Sequence, residues 1–143
     1  MRFLSLFVLL TAVLFAAHAQ AGQCAVTAIP MSFGLYDSIS SFPTDARGEI
    51  SVICSPDVHT IVRLDPGRNS GGFFNPRKMS GTGGYLNYNL YIDAARTQIW
   101  GDGTGITSTK QGANNLSVFG RIPPRQNVKA GVYNDFITVT VEW

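Results

Sequence analysis

The chain has 143 residues, the size of one domain, and its 11 basic and 9 acidic side chains give a net charge of only +2. The basic residues are dispersed rather than clustered, so the sequence lacks the footprint of a protein that binds nucleic acid or an anionic membrane. Its 15 glycines and 7 prolines separate short segments rich in Val, Ile, Thr, Tyr and Phe, which favours an all-β domain.

The first residues have the pattern of a secretory signal peptide. An apolar run, Phe3–Ala17, leads to the small-x-small motif Ala17–Ala19, which is typical of a cleavage site. The run is shorter than the roughly 20 residues of a membrane-spanning helix, and no second hydrophobic segment follows it. The sequence therefore predicts a signal peptide at residues 1–19 and an exported domain without a membrane span at residues 20–143, with cleavage after Ala21 as the alternative.

Export decides how the two cysteines are interpreted. Cys24 and Cys54 are the only cysteines in the sequence, and in an oxidising compartment a disulfide between them is the default. Such a bond closes a loop of about 30 residues and stabilises the fold by roughly 3–4 kcal/mol in the chain-entropy model. The alternative, a reactive or metal-binding thiol, has no supporting histidine nearby.

The body of the chain reads as short β-strands separated by loops. Residues 37–47 and 65–84 are predicted to be loops because they are polar or rich in Gly, Asn, Ser and Pro. The predicted strands are 24–29, 31–34, 48–54, 60–64, 85–93, 98–100, 116–122 and 133–143. Short strands in one small exported domain with one disulfide are typical of an immunoglobulin-like antiparallel β-sandwich.

The last predicted strand has a regular alternation. Its apolar face is formed by Tyr133, Ile137, Val139, Val141 and Trp143, with mostly polar residues between them. A period of two predicts a strand that is buried on one face. Such a strand needs a neighbour along its edge, because unpaired strand edges invite association with other chains.

Catalytic and metal-binding residues are scarce. The predicted mature chain has one histidine, His59, which argues against Cys/His metal sites and Ser–His–acid catalysis. Asp93 and Asp102 are considered as a glycosidase pair or as calcium ligands, but their surroundings lack the usual spacing. The glycine-rich segments 81–84 and 101–105 lack a phosphate-loop motif and read as turns. We therefore expect no enzymatic activity, no cofactor and no metal.

Two adjacent aromatic residues stand in a loop with glycines before them. Phe73 and Phe74 follow Gly71 and Gly72 and could form a surface-binding loop. The alternative is that they plug the loop against the sandwich, and the plug is favoured because apolar loop residues more often cover a core than bind a ligand.

A set of sequence blocks occurs in order along most of the chain. In the first half these blocks are Cys24-Ala25-Val26, Phe33-Gly34-x-Tyr36-Asp37 and Gly48-x-Ile50-x-Val52-x-Cys54. In the second half they are Pro76–Met79, Tyr85–Tyr91, Asp93–Arg96, Trp100–Gly103, Phe119–Pro123, and Gly131-x-Tyr133-x-Asp135 ahead of Thr138–Val141. Together the blocks resemble the spore coat protein U domain family, whose domain also builds the subunits of archaic Csu-type pili.

The resemblance implies a sandwich that lacks its final strand. It places a hydrophobic acceptor groove beside the strand Tyr133–Trp143. A periplasmic chaperone would fill the groove first, and a neighbouring subunit would then donate its own strand at an outer-membrane usher. The carboxylate of Trp143 would be held by basic residues of the chaperone. The protein would pass through the periplasm and be secreted to the cell surface as part of a pilus or coat.

The sequence departs from shaft subunits of such pili in one respect. Only Gln20–Gln23 separates the predicted cleavage site from Cys24, whereas a strand usually has about 5–6 residues. We therefore expect a chain that accepts a strand but donates none, at a filament end or as a minor component. The alternatives are a tip-like adhesin or binding module and a stand-alone secreted sandwich that acts as a coat protein.

Overall fold

A computed structural model describes residues 22–112 and 114–143; the predicted signal peptide, residues 1–19, lies outside them. The described part contains nine strands and no helix, which confirms the all-β class. Within it, no helix is long and apolar enough to cross a membrane. The strands are β1 Gln23–Ile29, β2 Thr44–Ser55, β3 Ile61–Leu64, β4 Arg77–Gly81, β5 Gly84–Tyr91, β6 Lys110–Gln111, β7 Asn114–Ile122, β8 Tyr133–Asn134 and β9 Val139–Glu142.

The strands form two antiparallel sheets that face each other. The larger sheet has the order β1-β2-β7-β5-β4-β8, and the smaller has the order β6-β3-β9. The core lies between them, as expected for alternating strands with one buried face. This is the predicted immunoglobulin-like sandwich. The buried apolar core consists of Tyr36, Ile50, Val52, Val62, Leu64, Met79, Leu86, Tyr88, Leu90, Trp100, Leu116, Val118, Ile122 and Tyr133.

Strands β1 and β2 are joined covalently as well as by their ladder. Cys24 lies directly opposite Cys54 in the antiparallel register. The two residues form a disulfide, as the sequence predicted, and no free cysteine is present in the described ranges. The bond fixes the edge strand β1 to the sheet at the end where the described chain begins.

Two predicted loops contain strands. The segment predicted as the surface loop 65–84 contains β4, and the last four residues of the predicted loop 37–47 belong to β2, which begins at Thr44. The prediction was wrong for β4 because its first residue, Arg77, reads as a solvent-exposed charge although it is fully buried. The short strand β6 was also missed, since two polar residues carry no periodicity.

Three predicted strands were wrong in whole or part. Residues 31–34 have no strand partner in the described ranges, and residues 98–100 make only isolated bridges there. The terminal strand is not continuous: β8 pairs with β4 of the larger sheet, whereas β9 pairs with β3 of the smaller one. The chain therefore changes sheets between Asn134 and Val139, and β8 and β9 belong to different ladders.

Candidate functional site

A long apolar groove lies between two antiparallel segments of the chain. One wall is formed by residues 28–35, which begin with the last two residues of β1, and the other by residues 132–139, which contain β8 and the crossing between the sheets. Its volume is about 650 Å³. Core side chains form its floor, namely Ile50, Leu64, Met79, Tyr88, Leu90 and Val118. The groove therefore reaches down to the hydrophobic core, although each of these floor side chains is itself buried.

The two walls meet at one end of the groove. There the Tyr36 N–H donates to the Gly131 carbonyl at 2.9 Å, and the Gly131 N–H donates to the Tyr36 carbonyl at 3.2 Å. Beyond the other end, outside the groove lining, the Trp143 indole N–H donates to the Gly22 carbonyl at 3.1 Å. Between these contacts the two walls form no ladder with each other in the described ranges.

The edge of the terminal segment that faces the groove has free backbone groups. The Asp65 N–H donates to the Thr138 carbonyl at 3.1 Å, and the β3–β9 register continues that alignment. Because alternate residues of an antiparallel strand bond to the same neighbour, the N–H and C=O groups of Ile137, Val139 and Val141 point away from β3. In the described ranges, β9 has no strand on that side.

The structure brings together three of the five residues predicted to form an acceptor groove. Tyr133, Ile137 and Val139 line it. Val141 is half-buried against the core but lies outside the lining. Trp143 is 60% exposed and also lies outside the lining, where its indole is bonded to Gly22. Their role in accepting a strand stays a prediction.

The opposite wall was not identified from the sequence. Met31 and Phe33 pack against the core, and Phe33 contacts Tyr88 edge to face at a centroid distance of 6.1 Å. Both lie over Gly120 of β7, where a Cβ atom would overlap the Met31 sulfur and the Phe33 ring. The alternation of Met31, Phe33 and Leu35 was the available signal, and it was interpreted as an ordinary strand.

Two carboxylates hold the crossing segment in place. The Asp65 Oδ1 atom accepts the Thr138 N–H at 2.9 Å. Asp135 accepts the Arg68 N–H at 3.0 Å, the Asn69 amide at 3.0 Å and the Tyr88 hydroxyl at 2.7 Å. These bonds satisfy polar groups where the strand ladder is interrupted. The wall of the groove is therefore fixed by side chains rather than by sheet pairing.

Beneath that wall lies a fully buried arginine. Arg77 donates to the Asp65 carbonyl at 3.0 and 2.8 Å, to the Asn89 Oδ1 atom at 2.9 Å and to the Trp100 carbonyl at 2.7 Å. Burial lowers the pKa of Arg77 to about 10, because the apolar surroundings disfavour its charged form. The guanidinium supports the loop that begins at Asp65, and this is a structural role.

A tyrosine links the core to the crossing segment. Burial raises the pKa of Tyr88, and its hydrogen bond to Asp135 raises that pKa further. Both effects favour the neutral hydroxyl, since an ionised phenol would lie in an apolar site beside a carboxylate. Tyr88 thus acts as a hydrogen-bond donor that ties β5 to the groove wall.

The two loop phenylalanines have different environments. Phe74 is half-buried, and the Arg77 guanidinium lies 5.2 Å from the centre of its ring. Phe73 is 70% exposed. The geometry of a plug applies to Phe74, and only Phe73 is available to a partner. Binding by this loop stays a prediction.

The acidic residues considered for catalysis or calcium binding act as caps of their own loops. Asp93 accepts hydrogen bonds from Thr97 and Gln98, which lower its pKa. Asp102 accepts hydrogen bonds from Thr104, which lower its pKa in the same way. Across residues 22–112 and 114–143, no three His, Cys, Asp or Glu side chains are grouped so that they could hold a metal ion.

Comparison with known proteins agrees with this fold. The family model of the Spore Coat Protein U domain matches residues 10–140, which is most of the chain. The chain belongs to this family. It is 31% identical to Protein U of Myxococcus xanthus in an alignment of 125 positions that covers 78% of this chain and 70% of that protein. Membership in the Spore Coat Protein U family identifies a structural protein rather than an enzyme.

A solved structure has a similar fold. It is the crystal structure of the CsuC–CsuE chaperone–tip adhesion subunit pre-assembly complex from the archaic chaperone–usher Csu pili of Acinetobacter baumannii. The TM-score is 0.58 at 24% identity, with 86% of this chain matched. This chain spans 40% of the length of the matched one, so the likeness concerns the fold.

Proposed function

We propose that this Spore Coat Protein U domain is a structural subunit of a surface pilus or coat, and that it accepts a β-strand from another polypeptide. The observation that carries the proposal is the groove, whose floor is formed by core side chains and whose wall continues into an edge that has no neighbouring strand in the described ranges, at Ile137, Val139 and Val141. A strand laid there buries apolar side chains on the floor and forms main-chain hydrogen bonds with the wall.

The occupant that fits this groove is a strand donated in trans. We infer a periplasmic chaperone as the first donor and a neighbouring subunit as the second, with exchange at an outer-membrane usher. The resemblance to Csu-type subunits supports this order, as does a fold shared with a chaperone–subunit complex. Transit through the periplasm and display at the cell surface follow from the same proposal.

A terminal or minor position in the assembly is part of the proposal. Gln23–Ile29 pair with β2 along their whole length, so these residues belong to the domain and are not free to be donated. If the signal peptide is cleaved after Ala19, only a few residues precede β1. A chain of this kind receives a strand but passes none on.

Substitution of one groove residue tests strand acceptance. The probe is an eight-residue synthetic peptide in which Val alternates with Thr, and the readout is thermal unfolding of the purified chain. Leu35→Asp places a charge in the groove, whereas Ile106→Asp places one in a loop outside it; the two residues are 71% and 70% exposed. The peptide should stabilise the wild type and Ile106→Asp but not Leu35→Asp, because an unpaired carboxylate would be buried by the peptide.

The opposite result has a clear form. In that result the chain alone is stable, its amides at Ile137, Val139 and Val141 are protected from hydrogen exchange, and the peptide raises the unfolding temperature of no variant. The backbone groups of this edge would then already have hydrogen-bond partners within the chain. The proposal of a donated strand would then be wrong.

A further inference from the structure

We propose that the backbone pair of Tyr36 and Gly131 is a stop that limits how far an incoming strand can pair, and so sets its register. The inference rests on the proposed function and goes beyond it by specifying the partner segment. The stop lies at the end of the groove bounded by Leu35 and Val132, where the two walls come together.

The spacing of strands makes this contact impassable. Tyr36 and Gly131 exchange two hydrogen bonds, at 2.9 and 3.2 Å, which is the closely bonded pair of an antiparallel ladder with Cα atoms about 5.5 Å apart. A strand inserted between two others needs about 4.8 Å on each side, and thus about 9.6 Å between its neighbours. An incoming strand must therefore end, or leave the plane of the sheet, before it reaches Gly131.

The stop is anchored in the core. Tyr36 is 2% exposed, its hydroxyl accepts the Gln126 N–H at 3.0 Å, and its ring meets that of Tyr133 edge to face at 6.3 Å. The Tyr133 hydroxyl in turn donates to the Lys129 carbonyl at 2.7 Å. Opening this end would disrupt buried contacts as well as two backbone bonds, so it stays closed while the groove is filled.

The other end of the groove has no backbone bridge between the walls in the described ranges. Beyond it, one indole hydrogen bond runs from Trp143 to the Gly22 carbonyl, and the Trp143 side chain is largely exposed. Displacing it costs little, because an exposed side chain can exchange that bond for one with water. Excess length of a donated strand therefore passes Trp143 and not Gly131.

The stop defines the chemistry of the partner segment. The wall that lines the groove runs from residue 132 to residue 139, so about eight residues of partner fit at roughly 3.3 Å per residue. Alternate partner side chains face the core floor and must be apolar, while those between them face outward. Each inward apolar side chain removed from the partner should weaken binding about tenfold to a hundredfold.

Peptide extensions test the stop. The eight-residue Val/Thr peptide is lengthened by four residues in the same pattern, at its N-terminus in one version and at its C-terminus in the other. Affinity is measured by fluorescence anisotropy. The extension that points toward Gly131 should change affinity less than about twofold, since it finds no edge to pair with. If both extensions strengthen binding tenfold or more, the stop is wrong.

A matched pair of substitutions at Gly131 tests whether its backbone N–H forms the stop. Gly131→Pro removes the N–H that bonds to Tyr36, whereas Gly131→Ala keeps it and brings its Cβ no closer than 3.7 Å to Thr82. In the proline variant, the peptide extension that points toward Gly131 should strengthen binding about tenfold. In the alanine variant, the same extension should leave the affinity unchanged. An unchanged length dependence in the proline variant would contradict the stop.

If the proline variant does not fold, amide exchange tests whether the Tyr36–Gly131 end stays closed when a peptide is bound. In the wild type, the Tyr36 and Gly131 amides should exchange as slowly with the extended peptide bound as without it. Faster exchange on binding would mean that the strand opens this end, and the stop would be wrong. If no peptide binds the wild type at all, the proposal of strand acceptance is wrong, and the proposal of a stop is wrong with it. If peptides bind but the extension toward Gly131 also strengthens binding, only the stop is wrong, so the two failures are distinguishable.

Discussion

Arg77 and Trp100 connect the two sheets of the sandwich through one chain of hydrogen bonds. The Arg77 guanidinium, on β4 of the larger sheet, donates to the Trp100 carbonyl at 2.7 Å. The Trp100 indole donates to the carbonyl of Val62, on β3 of the smaller sheet, at 3.0 Å. All three side chains are buried. A polar network therefore fixes the position of one layer relative to the other, beneath the apolar floor of the groove.

Replacing Arg77 should greatly lower the free energy of unfolding. Arg77→Met leaves the carbonyls of Asp65 and Trp100 without their donor in a buried site, and the Asn89 amide oxygen keeps only the Leu90 N–H; we expect a cost of about 3–5 kcal/mol of unfolding free energy. Arg121→Met is the control, because Arg121 is in an exposed pair with Asp45, and its loss should cost under about 1 kcal/mol. Urea denaturation measures both. Equal effects would mean that the buried network contributes little.

Tyr88 should make stability depend on alkaline pH. Its pKa is raised in the folded chain above the ordinary value of 10.0, so its contribution is complete below pH 10. Above pH 10 the tyrosine of the unfolded chain ionises while the buried one does not, and stability falls by up to about 1.4 kcal/mol per pH unit.

The variant Tyr88→Phe isolates this effect, since all other titrating groups are shared. The difference in unfolding free energy between wild type and Tyr88→Phe should be constant from pH 7 to 9 and shrink between pH 10 and 11. Chemical denaturation at each pH measures it. A difference that stays constant to pH 11 would show that Tyr88 ionises as freely in the folded chain as in the unfolded one.

Substitutions of the two loop phenylalanines should have different effects, one on stability and the other on surface binding. Phe74→Ser removes a ring that packs over Arg77 and should destabilise the chain by about 1–3 kcal/mol, whereas Phe73→Ser should change stability by less than about 0.5 kcal/mol. Thermal unfolding measures both. If the loop also binds a surface, as the adhesin alternative requires, Phe73→Ser alone should reduce adhesion without affecting assembly.

Removal of the disulfide should weaken the wall of the groove near β1. The double variant Cys24→Ala/Cys54→Ala frees a loop whose ends are 30 residues apart, and we expect a loss of about 3–4 kcal/mol. Reduction of the wild-type chain with dithiothreitol should give the same loss. Amide exchange should rise first in β1, an edge strand that pairs only with β2 in the part of the chain that the structure describes. A uniform rise across all strands would contradict this order.

Much of the fold could be predicted from the sequence, because alternating apolar and polar residues indicate a strand that is buried on one face. This pattern identified β5 and β7 and the buried faces of β2 and β3. The disulfide followed from cysteine count and predicted export. Tyr133, Ile137 and Val139 line the groove because the period of two persists through the terminal segment, even where that segment is not a strand.

The polar determinants could not be predicted in this way. Arg77 reads as a surface charge, since nothing local shows that carbonyls from Asp65 and Trp100 will surround it. Asp65 and Asp135 read as loop residues, yet they hold the segment that changes sheets. These contacts join residues far apart in the chain, and a periodic pattern carries no information about them.

The change of sheet between β8 and β9 has a mechanical consequence. A strand that pairs along the whole free edge would be bonded to both layers of the sandwich. A pulling force along that strand would load its hydrogen bonds in shear, all together, instead of peeling them apart one at a time. A fibre built from such joints would resist tension through the geometry of its connections.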